Sequence, residues 1–230
     1  MTTTTYTATG LTADTVYSFK VKARNIVGFS AESSSISIRA ATVPITPIAP
    51  VTSIQGSSVR VTWTPPDNGG SPITAYRIEV RQVDDTTYSV DSTDCNGSDS
   101  VTKAAGYCDI PIATLRASPF SHDWGADIYA KIIAINLVGE SIESPAGNGA
   151  IILTTPDKPL SLENALLVTN AIQIGLSWTE GTLNGGATVL DYRIYYDQGT
   201  DTYAELTSGV TATTFTSLEM TSGTTYKFKV

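Results

Sequence analysis

One pattern in this sequence occurs twice, and it limits the possible folds more than any other feature. "VRVTWTPPDNGGSPITAYRIEVR" (59–81) has a counterpart in "IQIGLSWTEGTLNGGATVLDYRIYY" (172–196). Each copy is an alternating strand that ends in Trp, a turn with Gly-Gly, and a second alternating strand that carries Tyr. Trp63 corresponds to Trp178, Gly69–Gly70 to Gly185–Gly186 and Tyr76 to Tyr192, at a spacing of about 115 residues. That period is the size of a small domain, so the chain must build the same unit more than once.

A second landmark repeats as well. "YSFKVKARNIVGFSAES" (17–33) matches "IYAKIIAINLVGESIES" (128–144) through Ala23/Ala134, Asn25/Asn136 and Gly28/Gly139, and "YKFKV" at 226–230 starts a third copy. The strands have a period of two. Val59, Val61 and Trp63 share one side, with Arg60 and Thr62 on the other. Tyr76, Ile78 and Val80 alternate with Arg77 and Glu79, and Tyr17, Phe19, Val21 and Ala23 alternate with Ser18, Lys20, Lys22 and Arg24. One buried face and one wet face is the pattern of antiparallel sheets stacked as a sandwich. No stretch keeps a 3.6-residue period for the roughly 11 residues that a sizeable helix needs. "TVPITPIAP" (42–50) and "TTPDKPL" (154–160) read as short, stiff linkers, because proline lacks a donor and favours extended backbone.

Taken together, the Trp-ended strand, the "PPDNGGSPITAYRI" turn and the "Y-x-F-x-V-x-A-x-N-x-x-G" strand resemble tandem fibronectin type III domains across essentially the whole chain. The resemblance implies an all-β chain of tandem Ig-like (fibronectin type III) β-sandwiches, one complete and two partial. Residues 1–42 would supply strands E to G, 43–155 a complete domain, and 156–230 strands A to F. It also implies that Trp63 and Trp178 lie in the cores and that Tyr17 and Tyr226 form the corner whose hydroxyl bonds back to the backbone. The middle copy departs from this pattern. Ile128 stands at the corner position and Tyr129 falls one residue out of phase, so the corner bond is expected to be lost there.

The middle copy also carries an insertion, "DCNGSDSVTKAAGYCDIP" (94–111), which holds the two cysteines, Cys95 and Cys108. They form either a disulfide or a pair of free buried thiols. The polarity of the loop argues against burial and favours the disulfide, which would stabilise by about 3 kcal/mol and imply an oxidising compartment. Asn96, in "NGS", is the single N-x-S/T acceptor and a candidate for glycosylation. Thr and Ser make up about a quarter of the chain, which suits exposed strand faces. It also makes Thr2, Thr3, Thr4, Thr5, Thr211, Thr213 and Thr214 candidates for O-glycosylation. The insertion, with "IPIATLRASPF" and "GADIYAKIIAINLVGES", further resembles the fibronectin-like repeats of very large surface proteins of single-celled eukaryotes such as ciliates.

The chemistry that would make an enzyme is sparse. His122 is the only histidine, which excludes a His-based metal cluster, and "SHDWG" reads as a connection with a solvated histidine. "DNGG" and "LNGG" are turn formers, without the lysine and helix of a phosphate loop. Asp91, Asp94 and Asp99 match no calcium-loop spacing and read as a solvated acidic loop. No catalytic residue, metal or cofactor is expected. The net charge of −8, with 14 basic residues spread along the chain, opposes a nucleic-acid partner. No apolar run spans a membrane, and "MTTTTYTATG" has the form of no signal peptide.

Two functions from different classes fit. One is a structural repeat of a long extracellular fibre or surface coat. The other is a recognition or adhesion module of a receptor ectodomain, or an accessory binding domain. Residues 213–230 realign with 4–21 at about half the positions, better than either end matches the middle copy. An alternating two-domain repeat accounts for this, with self as the partner, head to tail. The contact would run through a continuous chain or, ranked second, through strand exchange between subunits.

Overall fold

The computed structural model describes residues 4–230; Thr2 and Thr3 lie outside the described residues. The chain divides into two compact units, Met1–His122 with Asp127–Ile151, and Asp123–Ala126 with Ile152–Val230.

The first unit opens with β1 (Val16–Phe19) and β2 (Ile36–Arg39), an antiparallel pair with Tyr17 opposite Ile38. It continues with β3 (Val51–Gln55), β4 (Ser58–Thr62), β5 (Ala75–Arg81), β6 (Tyr88–Ser89), α1 (Ser100–Ala105), β7 (Tyr107–Pro111), α2 (Ile112–Arg116), β8 (Asp127–Ile135) and β9 (Gly147–Ile151). The order β3-β4-β7 makes one sheet and β6-β5-β8-β9 the other, giving a seven-stranded sandwich. The alternation in the sequence decides which face turns inward. Val59, Val61 and Trp63 are buried from β4 and the residue after it, Tyr76, Ile78 and Val80 from β5, and Ile128, Ala130, Ile132 and Ala134 from β8. Tyr76 pairs with Ala134, Ile78 with Ile132 and Val80 with Ala130, so these side chains meet on the same side of the sheet. The Trp63 and Tyr76 rings stand 5.2 Å apart. Each such large side chain contributes about 1.5–3 kcal/mol by leaving water.

The segment before β3 departs from expectation. No strand E forms over residues 4–15. In the middle sandwich the equivalent strand, β7, gains its ladder from β4; among the described residues nothing plays that part beside residues 4–8. The proline-rich stretch 42–50 lies inside the first unit.

The second unit contains β10 (Leu160–Asn164), β11 (Ile174–Thr179), β12 (Tyr192–Tyr196), β13 (Ala204–Val210), β14 (Thr214–Ser217) and β15 (Phe228–Lys229). Its sheets run β10-β11-β14 and β13-β12-β15. Leu176, Trp178, Tyr192 and Ile194 form the core, with Phe215 and Phe228 packed against it. Trp178 and Tyr192 repeat the Trp–Tyr contact at 5.3 Å. Among the described residues no helix is long and apolar enough to cross a membrane.

The corners follow the residues present. Tyr17 Oη accepts from Thr12 N at 2.9 Å and Tyr226 Oη from Thr221 N at 3.2 Å; the Thr12 backbone bond lowers the Tyr17 pKa, and the Thr221 side chain, then its backbone N–H, lowers that of Tyr226. At the third corner Ile128 is fully buried and Tyr129 lies outside, under Arg81, whose guanidinium is 3.9 Å from the ring centre. Residues 112–122 fill the corner instead. Leu115 and Phe120 are buried, and Val83 N donates to Phe120 O at 2.9 Å. His122 corrects the expectation of a solvated histidine. It is buried, with Nε2 2.7 Å from Arg81 O and its backbone N donating to Leu115 O. The turn after α2 brings the imidazole to the Arg81 carbonyl at the end of β5.

Candidate functional site

Two places on the first unit hold polar groups in fixed arrangements. One is the insertion between β6 and β7; the other is a clasp around Thr42.

The insertion is built from turns. Asp91 Oδ1 accepts from Thr93 N and Asp94 N at 2.9 and 3.2 Å. Asp99 caps α1 by accepting from Val101 N and Thr102 N, both at 2.9 Å. These backbone donors, Thr102 first, hold its carboxyl below the ordinary range. Gly106, with φ 70°, ends the helix by donating to Thr102 O. Cys95 and Cys108 are joined in a disulfide with Cα atoms 5.1 Å apart, and both are buried, which overturns the expectation that a polar loop would keep them out of the core. The reason lies in β7, where Cys108 occupies a core-facing position opposite Val61 and draws Cys95 in with it. Gly97 then lies flat on β5: Tyr76 N donates to its carbonyl at 3.0 Å, and a Cβ there would land on the Tyr76 carbonyl oxygen.

Asn96 remains exposed, its Oδ1 accepting from Ser98 N at 3.0 Å. The acidic loop is less solvated than its composition suggests, because Asp91 is buried. Among the described residues no group of three or more His, Cys, Asp or Glu side chains is placed to hold a metal ion. Beside the insertion, Arg60 makes a two-bond contact to Asp109 at 2.8 and 2.7 Å and lies 3.7 Å over the Tyr107 ring. The guanidinium depresses the Asp109 carboxyl.

The clasp holds the extended segment that precedes β3. Thr42 N donates to Gly69 O at 2.8 Å and Ile45 N to Asp67 O at 3.0 Å. From the other side the buried Asn136 donates through Nδ2 to Thr42 O at 2.7 Å and to Asn68 O at 2.9 Å. Its Oδ1 accepts from Val138 N and Gly139 N at 2.8 and 3.1 Å, closing the turn after β8. Gly69 and Gly70 are needed for space as well as for their positive φ. A Cβ at Gly69 would stand 2.6 Å from Thr42 O, and one at Gly70 would stand 2.8 Å from Ala40 O. Half of the clasp recurs in the second unit, where Thr154 N donates to Gly185 O at 2.9 Å. Read from the sequence, the glycine pairs are only turn formers. The repeat of Asn25 in Asn136 was the one signal that these positions do more.

Of the remaining candidates, Trp63 touches the insertion, its backbone N donating to Gly106 O at 2.9 Å. Trp63 and Trp178 are buried in their cores. Thr4, Thr5, Thr211 and Thr214 are exposed and Thr213 is half-buried.

The fold is that of tandem fibronectin type III-like β-sandwiches. The family model of the Fibronectin type III domain matches residues 47–105. "Cell adhesion molecule-related/down-regulated by oncogenes" of Homo sapiens is 30% identical over 163 residues, covering 67% of this chain and 11% of that protein. Exoglucanase B of Cellulomonas fimi is 26% identical over 241 residues, covering 100% of this chain and 20% of that protein. The chain therefore spans a fifth or less of the length of these relatives. A crystal structure of domains from titin aligns with a TM-score of 0.44 at 14% identity, covering 93% of this chain and 67% of that one.

Proposed function

We propose that this chain is a structural repeat segment of a long extracellular fibre or surface coat, of the kind that residues 94–141 resemble in very large surface proteins of single-celled eukaryotes. The observation that carries this reading is repetition. The same Trp–Tyr core is built twice, and the Thr–Gly half of the clasp, Thr42 N on Gly69 O and Thr154 N on Gly185 O, recurs with it. Such an array does its work mechanically, without chemistry. The buried disulfide suits an oxidising compartment, and the exposed Asn96 suits a glycan. Its partner is itself, head to tail, first through a continuous chain.

The second reading is an adhesion module of a receptor ectodomain. It is favoured by the likeness to a protein whose name is that of a cell adhesion molecule.

Antibodies against the insertion, applied to intact unpermeabilised cells, test both. Labelling of a continuous coat or of filaments, with loss of mass on deglycosylation, is the expected result. Labelling confined to cell contacts favours adhesion. Labelling only after permeabilisation overturns the extracellular reading.

A further inference from the structure

We infer that Asn96 receives its glycan only before the insertion docks on β5, so that closure of the Cys95–Cys108 disulfide decides what fraction of chains carry it. This rests on the extracellular reading above and goes beyond it by fixing when the site is open and what shuts it.

The folded insertion accommodates the product. Asn96 is exposed, and its turn uses Oδ1, which accepts from Ser98 N at 3.0 Å. A sugar on Nδ2 leaves that bond in place. The reaction is more demanding. In N-glycosylation the asparagine Nδ2 attacks the anomeric carbon of an oligosaccharide carried on a lipid pyrophosphate. A C–N bond forms and the bond from that carbon to the pyrophosphate oxygen breaks. The lipid pyrophosphate leaves with the electron pair, and one amide proton passes to a base. The acceptor pattern also requires the hydroxyl two residues on, so the transferase must close around Asn96, Gly97 and Ser98 together.

The fold denies it that grip. Gly97 is buried, and its carbonyl accepts from Tyr76 N at 3.0 Å. The approach is so close that an added Cβ would stand 2.0 Å from Tyr76 O and 2.7 Å from Ile78 Cδ1. No second protein passes between Gly97 and β5. Both flanks are tied as well. On one side Cys95 is buried and bonded to Cys108 in β7, and Asp94 Oδ2 accepts from Thr114 Oγ1 at 3.2 Å. On the other, Asn96 O accepts from Asp99 N at 3.1 Å, and Asp99 caps α1. To present the three residues the segment must lift off β5, and the disulfide holds it there.

Timing makes this a contest. Cys108 follows Cys95 by 13 residues, so at about 5–20 residues per second it is synthesised roughly 1–2 s later. Disulfide formation takes seconds or longer. Glycan transfer therefore has a window that synthesis opens and oxidation closes, and chains that miss it stay unmodified.

The test secretes the full chain from eukaryotic cells behind a cleavable signal peptide. Occupancy is read, in cells and medium together, from the gel shift that peptide-N-glycosidase removes, with Asn96→Gln marking the unmodified position. Wild type should give two bands. Cys108→Ala, which leaves residues 95–98 as they are, should move the chain to the upper band, and so should wild type synthesised in dithiothreitol. Because Cys108→Ala can fail to fold, a second measurement uses wild type alone. The unmodified chain, either folded and oxidised or reduced and denatured, is offered to microsomal transferase with lipid-linked donor. The reduced chain should be modified and the folded chain should not. A wild-type chain wholly in the upper band, occupancy that ignores the cysteine, or a folded chain modified as readily as the reduced one overturns the inference. So does a chain that takes no glycan in any form, and that outcome leaves the coat reading to its surface labelling.

Discussion

Asn136 is buried with both polar atoms of its side chain engaged, Nδ2 on two carbonyls and Oδ1 on two backbone N–H groups. Replacing it by Ala leaves these groups without their partner. Asn136→Ala should therefore lower the stability of the first unit by about 1–3 kcal/mol, seen as a shift of the urea midpoint. Asn136→Asp should be at least as damaging, because it keeps the turn but sets a carboxylate against two carbonyl oxygens; a variant of wild-type stability would show that the amide bonds add nothing. Asp84 makes a second residue-scale case. The Thr87 hydroxyl, then the backbone N–H groups of Thr87 and Thr86, lower its pKa from 3.8 to about 2. A depressed carboxylate pKa stabilises the fold fully above the ordinary value, and that contribution is lost as pH falls from about 4 to about 2. NMR titration of the Asp84 carboxyl should show the low midpoint; a midpoint near 3.8 would show that the turn does not hold the charge. The recurrence of Asn25 in Asn136 was legible in the sequence. What the amide bonds was not, since Thr42 and Asn68 lie far from it along the chain.

At the scale of elements, the strands were legible and the connections were not. Alternation at 59–63 and 76–80 fixed which side chains β4 and β5 bury, because a strand turns every second residue to the same face; β8 breaks the alternation, burying Ile133 as well as Ile132 and Ala134. The helices α1 and α2 have only 6 and 5 residues, too few to show a helical period. The same insertion hid the burial of its cysteines, because Cys108 takes its inward direction from β7 and not from its polar neighbours. Replacing both Cys95 and Cys108 by Ala should cost about 3 kcal/mol, measured by denaturant unfolding of the first unit. A smaller loss on reduction of the intact chain would mean that the loop is held by its turns. Gly97→Ala should destabilise by about 1–3 kcal/mol, because its Cβ would meet the Tyr76 carbonyl and Ile78 Cδ1; an unchanged midpoint would mean that the loop lifts off β5 without cost.

At the scale of the whole molecule, each of the two compact units has its own Trp–Tyr core. Trp63→Ala and Trp178→Ala should each cost about 3–5 kcal/mol, and each should lower only the calorimetric transition of its own unit. A single transition that moves with either variant would show that the units unfold together. The sequence by itself determined the alternating, sandwich-type strands and the repeat, because strand period and repeat spacing are properties of the residues that any fold of this chain must satisfy; the buried tryptophans were what the resemblance implied. It also held both halves of the Asn–Gly–Gly pattern, but only as residues. Tertiary structure decided that His122 and the cystine are buried, that the third corner is filled by residues 112–122, and that Asn136 grips the segment leading into β3. Each of these depends on which backbone groups, distant in sequence, come within hydrogen-bonding or van der Waals reach. Neither composition nor periodicity records that.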